Sequence, residues 1–184
     1  MIDLSRVNRS WTLFLDRDGV INHEKEMDYV YSYDEFIFYD RVHEAMKIFS
    51  QVFGHIIVVT NQRGVGRGLM SEETLTDIHE EMTNDITSSG GRIDAVYYCT
   101  ADDDLHPERK PNHGMALRAM KDFPDIKMAR SIMVGNNLSD MEFGRNAGMF
   151  NILLKTTLPF PQLPDRLIDL AFEDLYDFAT CLQQ

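Results

Sequence analysis

The chain has 184 residues, 43% of them hydrophobic, and a formal net charge of −12 at pH 7. This charge disfavours a nucleic-acid partner, because proteins bind that polyanion mainly through lysine and arginine. The two cysteines, Cys99 and Cys181, are too few for a disulfide framework. No apolar stretch has the length of a membrane span, and no signal peptide is recognisable. We therefore expect one cytoplasmic domain over residues 1–184, without membrane contact, and the oligomeric state stays open.

Short apolar runs alternate with segments of helical period along the chain. The runs predict strands at residues 11–15, 55–60, 93–99, 131–134, 150–154 and 168–172. Helices are expected at 42–49, from Ser71 as N-cap to a stop at Gly90-Gly91, at 113–123, at 138–146 and at 175–182. Prolines at positions 159, 161 and 164 predict a loop before the last helix. This alternation predicts βαβ units around a parallel sheet.

Polar residues follow four of the predicted strands, at the sheet edge where ligands of open parallel sheets bind. The residues concerned are Asp16, Asp18, Thr60, Asn61, Lys110, Asn136 and Asp140.

The strongest local pattern is Asp16-Arg17-Asp18-Gly19, directly after an apolar strand. On extended chain the two carboxylates would point to opposite faces, but a turn at Gly19 can bring them round a common cation. One carboxylate can then attack phosphorus while the other protonates the leaving oxygen. The alternatives for such a pair are an ordinary turn or a calcium loop.

Three further segments can handle an anion and a metal. Thr60 and the adjacent backbone N–H groups can bind phosphate oxygens, and the glycine- and arginine-rich stretch 63–68 has the composition of an anion-binding loop or of a flexible exposed one. Lys110, held against a proline, can neutralise a phosphate in the transition state. Asn136 and Asp140, four residues apart, offer the oxygen ligands that magnesium prefers.

In order and spacing these segments resemble the four motifs of the haloacid dehalogenase superfamily over roughly residues 10–155. The stretches 15–22, 60–62 and 109–111 resemble in particular the branch of D-glycero-D-manno-heptose 1,7-bisphosphate phosphatases and histidinol-phosphate phosphatases. The resemblance implies a Rossmann-like three-layer α/β/α sandwich with a mostly parallel sheet. Too few residues separate the motifs for a large cap domain.

The resemblance also implies a magnesium-dependent phosphatase that acts on a small phosphorylated metabolite, of sugar phosphate type, through an aspartyl-phosphate. Asp16 would be the nucleophile, Asp18 the general acid and base, and Thr60 and Lys110 the phosphate-binding residues. Asn61, Arg67 and Arg109 are the expected substrate-binding residues, and the expected magnesium ligands are Asp16, Asp18, Asn136 and Asp140.

Two departures from that branch stand out. Asn136 replaces the aspartate that the superfamily usually has, which removes one negative charge from the expected magnesium site. The loop after the third strand holds only Cys99 and His106 where heptose bisphosphate phosphatases carry a zinc-binding loop, so we predict no structural zinc.

Alternatives therefore remain. They are a histidinol-phosphate phosphatase, a polynucleotide 3′-phosphatase, which the charge opposes, and a weakly active or inactive relative that only binds a phosphometabolite or a protein partner. The aromatic stretch 29–39 is expected to form a small β-flap over an open site or to pack into the core. Asp102–Asp104 is expected to be a solvated charge run, and His79 a structural or exposed residue.

Overall fold

A six-stranded parallel sheet runs through the described part of the chain, which comprises residues 2–25, 28–157, 163 and 165–183 of this computed structural model. The strands lie in the order β3-β2-β1-β4-β5-β6, and each of the five pairings is parallel. Their bounds are Thr12–Leu15 for β1, His55–Asn61 for β2, Ala95–Cys99 for β3, Ser131–Gly135 for β4, Phe150–Leu154 for β5 and Leu170–Phe172 for β6.

Helices follow the strands in the order expected for βαβ units. Their bounds are Val42–Val52 for α1, Arg63–Gly66 for α2, Glu72–Ser88 for α3, Gly114–Asp122 for α4, Leu138–Ala147 for α5 and Leu175–Cys181 for α6. Three short 3₁₀ helices lie at Leu4–Arg6, Tyr33–Glu35 and Met128–Arg130. The predicted N-cap is confirmed, because the Ser71 hydroxyl accepts a hydrogen bond from the backbone N–H of Thr74.

The sheet is covered on both faces, because successive side chains of a strand point to opposite sides. Leu13 and Leu15 of β1 belong to one apolar core together with residues of α1, α3 and α6. Phe14, between them, belongs to a second core with residues of α4 and α5. This arrangement is the predicted three-layer α/β/α sandwich, and burial on both faces explains why the strands read as continuous apolar runs.

The predicted strands and helices are confirmed with end shifts of one to three residues. The three 3₁₀ helices were not predicted, and neither was α2: the first residues of the 63–68 stretch form this single turn rather than a loop. The prolines at 159, 161 and 164 lie outside the described residues. None of the described helices is long and apolar enough to cross a lipid bilayer.

Of the two expectations for the aromatic stretch 29–39, a β-flap or core packing, the structure shows core packing for four residues. Phe36 is buried in the larger core, and Tyr33, Phe38 and Tyr39 pack against it. In the described part of 23–41 the only β-type contact is an isolated bridge between Asn22 and Phe38, so core packing, rather than a flap of paired strands, accounts for these four residues.

Candidate active site

The carboxyl ends of β1 and β4 place Asp16 at the centre of the polar cluster. Its backbone N–H donates to the carbonyl of Val134, the fourth residue of β4, at 3.0 Å. Asp16 Oδ1 accepts from the backbone N–H of Arg17 at 2.7 Å and lies 2.8 Å from Nζ of Lys110. Within the described residues no hydrogen bond reaches Asp16 Oδ2, so one carboxylate oxygen stays available to a ligand.

Lys110 bridges two buried carboxylates. Its Nζ lies 2.8 Å from Asp16 Oδ1 and donates to Asp140 Oδ1 at 2.6 Å. Burial alone would lower the pKa of Lys110, but the charges of Asp140 and Asp16 outweigh burial and raise it, so the side chain stays protonated. Burial and the charge of Asp140 raise the pKa of Asp16 to about 7, against the opposing effect of Lys110.

Side-chain hydrogen bonds from Arg17, Asn22 and Gln62 hold the carboxylate of Asp18. Arg17 donates to its Oδ1 through Nε at 3.2 Å and Nη2 at 2.8 Å, and Asn22 Nδ2 donates to the same oxygen at 2.9 Å. Gln62 Nε2 donates to Oδ2 at 2.8 Å. Burial raises the pKa of Asp18, but the charge of Arg17 and these hydrogen bonds outweigh it and lower the pKa, so the carboxyl is ionised at neutral pH.

His79 of α3 contacts Arg17, the residue that holds Asp18. Its Nε2 lies 3.1 Å from Arg17 Nη1. Arginine only donates, so His79 Nε2 must accept, and its proton lies on Nδ1, which is buried and has no hydrogen-bond partner in the described residues. Burial and the charge of Arg17 lower the pKa of His79 to about 3, so the ring is neutral.

The end of β2 supplies Thr60 and Asn61. Thr60 is buried, and its hydroxyl accepts from Gln62 Nε2 at 2.8 Å beside Asp18. Asn61 instead holds the segment that carries Lys110: its Oδ1 accepts from the backbone N–H of Lys110, and its Nδ2 donates to that residue's carbonyl, both at 3.0 Å. Both polar atoms of Asn61 are therefore used within the protein, which favours a positioning role over the predicted substrate contact.

Asn136 provides an oxygen suited to a cation. The side chain is fully buried, its Nδ2 donates to Thr157 Oγ1 at 2.6 Å, and its Oδ1 has no hydrogen-bond partner in the described residues. A buried carbonyl oxygen without a donor is costly unless something binds it. Such an amide oxygen is a hard donor of the kind that magnesium prefers.

Gly19 allows the close approach of this amide. Its φ is +83°, a conformation favoured by glycine, and a Cβ on it would lie 1.9 Å from Asn136 Nδ2. The glycine after the two aspartates is therefore needed both for the turn and for room beside the expected metal ligand.

Both oxygens of Asp140 are engaged. Oδ1 accepts from Lys110, and Oδ2 accepts from the backbone N–H groups of Asn136 and Asn137 at 3.2 and 3.1 Å, at the start of α5. These contacts suit a residue that orients the lysine and the backbone at Asn136 and Asn137. The role of Asp140 as a metal ligand stays a prediction, and the described side chains contain no group of three or more histidine, cysteine, aspartate or glutamate residues placed to hold a metal.

Arg67 and Arg109 lie at the rim of this cluster rather than inside it. Arg67 Nη1 donates to Tyr29 Oη at 3.4 Å, and Tyr29 helps to line a cavity of about 130 Å³ that reaches Asp18. The cavity is lined by Arg17, Asp18, Glu24, Lys25, Asp28, Tyr29, Val30, Asn61 and Gln62. Arg109 is the chain neighbour of Lys110 and points to the loop 101–104.

Several site residues were missed from the sequence. Gln62 and Asn22 contact Asp18, and they lie in the stretches 60–62 and 15–22, but neither was expected as a site residue. His79 had a usable signal: it lies four residues after Leu75 and three before Met82, on the apolar stripe of α3, so burial could be read from the helical period. Thr157 follows β5 at the same edge of the sheet. Its position beyond the carboxyl end of a parallel strand, where ligands of such sheets bind, could therefore have indicated a site residue.

Comparison with known proteins gives consistent matches. The family model described as Polynucleotide kinase 3 phosphatase matches residues 12–156. A D-glycero-alpha-D-manno-heptose-1,7-bisphosphate 7-phosphatase from Burkholderia mallei is 39% identical over 155 residues, 77% of this chain and 78% of that protein. One from Mycobacterium bovis is 33% identical over 178 residues, 96% of this chain and 94% of that protein.

Solved structures agree with these relatives. The D,D-heptose 1,7-bisphosphate phosphatase from B. bronchiseptica, complexed with magnesium and phosphate, matches with a TM-score of 0.84 and 31% identity, over 95% of this chain and 98% of that one. The enzyme of the same kind from Burkholderia thailandensis matches with a TM-score of 0.67 and 29% identity, over 95% and 99%. The similarity thus extends over nearly the whole chain, well beyond the individual motifs.

Proposed function

From the premise that the chain belongs to the haloacid dehalogenase superfamily, as a phosphatase of the D-glycero-D-manno-heptose 1,7-bisphosphate 7-phosphatase type, we propose that it hydrolyses the phosphomonoester of a phosphorylated sugar through an aspartyl-phosphate on Asp16. The observation that carries this proposal is the asymmetry of the Asp16 carboxylate. Oδ1 is fixed by Arg17 and Lys110, and Oδ2 is left to attack phosphorus.

Lys110 supports the attack in two ways. Its charge stabilises the ionised form of Asp16, which burial opposes, and it lies where negative charge on the transferring phosphate would build up. Asp140 keeps Lys110 in place through the 2.6 Å contact with Nζ. Thr60, at the end of β2, is the proposed hydroxyl contact to the phosphate.

Asp18 is the proposed general acid and base. In the absence of substrate its low pKa keeps it ionised, the form that removes a proton from the water that hydrolyses the aspartyl-phosphate. A phosphate dianion beside it raises its pKa, because like charges disfavour ionisation. Substrate binding therefore promotes the protonated form that the leaving oxygen needs in the first step.

Magnesium is the proposed cofactor, with Asp16, Asp18 and Asn136 as the residues that would hold it. The unpartnered Oδ1 of Asn136 fits a hard cation, and the Asp16 carboxylate and the Asp18 backbone carbonyl would add further oxygen ligands. When bound, magnesium offsets the repulsion between the attacking carboxylate and the phosphate. The absence of a structural zinc and a location in the cytoplasm stay predictions.

The sugar class rests on what the relatives are named for, since heptose 1,7-bisphosphate is the substrate in both curated names. A second candidate is a 3′-phosphorylated polynucleotide, which the description of the family model favours. We prefer the sugar phosphate because a net charge of −12 opposes a polyanionic substrate.

The test is phosphate release from heptose 1,7-bisphosphate, histidinol phosphate, an aryl phosphate and a 3′-phosphorylated oligonucleotide, each with magnesium and with EDTA. We expect release that requires magnesium, is fastest with the sugar, and disappears in the Asp16→Asn variant. Asp125→Asn is the matched control: it removes one carboxylate that pairs with His55 at the opposite end of β2.

Two outcomes would contradict the proposal. Equal activity in the Asp16→Asn variant would exclude this nucleophile. Preference for histidinol phosphate or for the oligonucleotide over the sugar would retain the mechanism but reject the substrate class.

A further inference from the structure

Three arginines form a cluster at the rim of the catalytic cavity, and we call Arg63, Arg67 and Arg109 the rim arginines. Arg63 follows Gln62, which contacts Asp18, and Arg109 precedes Lys110, which contacts Asp16. Arg67 reaches the cavity through Tyr29. Each of these cations is thus the chain neighbour or the contact partner of a residue beside Asp16 or Asp18, where we place the remainder of a substrate whose phosphate lies on Asp16.

The loop after β3 already occupies these cations. Asp102 Oδ1 lies 2.9 Å from Nε of Arg67 and 2.9 Å from Nε of Arg63, the second contact without hydrogen-bond geometry. Asp104 Oδ1 accepts from Arg109 Nε at 3.1 Å and also pairs with Arg63. Asp102–Asp104 is exposed, as expected for a solvated charge run, and the structure adds that each rim arginine faces a carboxylate of this loop.

The loop is held there by backbone packing as well as by charge. A Cβ on Gly66 of α2 would lie 2.1 Å from the carbonyl oxygen of Thr100, so the two segments lie in direct contact. Arg109 Nη1 also donates to the carbonyl of Ala101 at 3.2 Å. The carboxylates are consequently presented to the arginines by the fold.

The chemistry of the pairing bears on substrate choice. A guanidinium binds a phosphate through the same planar fork that binds a carboxylate, so Asp102 and Asp104, which contact one side of each fork, compete with a second phosphate of the substrate for these arginines. The hydrogen bond from Arg109 and the charge of Arg63 hold the pKa of Asp104 below its usual range, so its charge persists at neutral pH. A second phosphate would have to displace two carboxylates and approach them as a like charge.

We infer that Asp102 and Asp104 neutralise the rim arginines and thereby make the enzyme select sugar monophosphates at least as well as sugar bisphosphates. This inference rests on the proposed function, whose substrate class it narrows. According to this inference, Asp102 and Asp104 are specificity-determining residues. The leaving group is then a sugar that carries no second phosphate at the rim.

The experiment compares heptose 1,7-bisphosphate with the matched heptose 7-phosphate, at low ionic strength, as the ratio of their kcat/KM values. We expect a ratio within about threefold of one for the unmodified protein. In the Asp102→Asn, Asp104→Asn double variant we expect the ratio to rise about tenfold in favour of the bisphosphate, the scale of two exposed ion pairs. Asp103→Asn is the matched control, because the Asp103 side chain accepts only from Leu105 N–H among the described contacts, and it should leave the ratio unchanged.

The two sugars are also compared by their equilibrium dissociation constants in the Asp16→Asn variant. Because this variant lacks the proposed nucleophile, the test does not depend on turnover. If the proposed function is wrong, the unmodified protein releases no phosphate. The ratio of the dissociation constants for the two sugars then still tests the effect of Asp102 and Asp104 on binding. The inference is overturned by a bisphosphate preference above about threefold in the unmodified protein, or by a ratio that the double variant does not change. Retention of monophosphate binding by the double variant shows that the loop change has not unfolded the site.

Discussion

Asn136→Asp restores the aspartate that the superfamily usually has, yet we expect it to destabilise the metal-free protein. Asn136 is fully buried, and its Nδ2 donates to Thr157 at 2.6 Å. A carboxylate cannot donate, and the Thr157 hydroxyl already donates to Glu24, so it cannot serve both acceptors. The introduced charge also lies in the cluster that contains Asp16.

The cost can be estimated from these contacts. Losing the donor and burying a carboxylate without a partner should lower the free energy of unfolding by about 2 to 4 kcal/mol. For a chain of this size, that corresponds to a melting temperature about 4 to 16 °C lower in EDTA. Burial raises the pKa of the introduced carboxyl above its unfolded value, so the loss should grow as pH rises from 5 to 8.

Magnesium should reverse part of this loss, because the new charge adds to the oxygen ligands of the expected site. An affinity tighter by about tenfold would recover about 1.4 kcal/mol at saturating magnesium. The assay is thermal unfolding at pH 5 and pH 8, with EDTA and with a magnesium series. Asn137→Asp is the control, since asparagine and aspartate are equivalent N-caps, and it should melt close to the unmodified protein. An unchanged melting temperature in EDTA, or a gap that magnesium does not narrow, would refute the reasoning.

Two further substitutions test the packing of the site. Lys110→Met leaves two buried carboxylates facing each other without a cation, and we expect kcat to fall by about 100-fold or more; a loss below tenfold would argue against its role. Gly19→Ala should destabilise the protein more than Gly68→Ala, because both have positive φ but only at Gly19 would the added Cβ collide with Asn136. The measurement is the melting temperature of each glycine variant, and equal values would contradict the expected larger loss at Gly19.

The fold could be predicted to a large extent from local patterns. Five of the six helices and all six strands agree with apolar runs and helical periods, since burial on one or both faces leaves a period in the sequence. The short α2 was missed because a glycine-rich segment has no such period. Its turn is formed in contact with the chain at Thr100, more than thirty residues away.

The candidate site was predicted as a set of residues but only partly in its contacts. The motif order predicted that Asp16, Thr60, Lys110 and Asp140 would meet, because parallel strands bring their carboxyl ends to one edge. It did not distinguish a ligand from a support. The metal-ligand role of Asp140 stays a prediction, and the structure adds that its oxygens hold Lys110 and two backbone N–H groups.

What the sequence by itself determined is therefore the order of strands and helices and the edge of the sheet where polar residues gather, because both follow from periodicity and from strand direction. Only the tertiary structure decided which charges pair. Arg17 meets His79 across 62 positions, and Arg67 meets Asp102 across 35. Such pairings depend on how helices and loops pack over the sheet, and a charged residue leaves no periodic trace of the partner that will neutralise it.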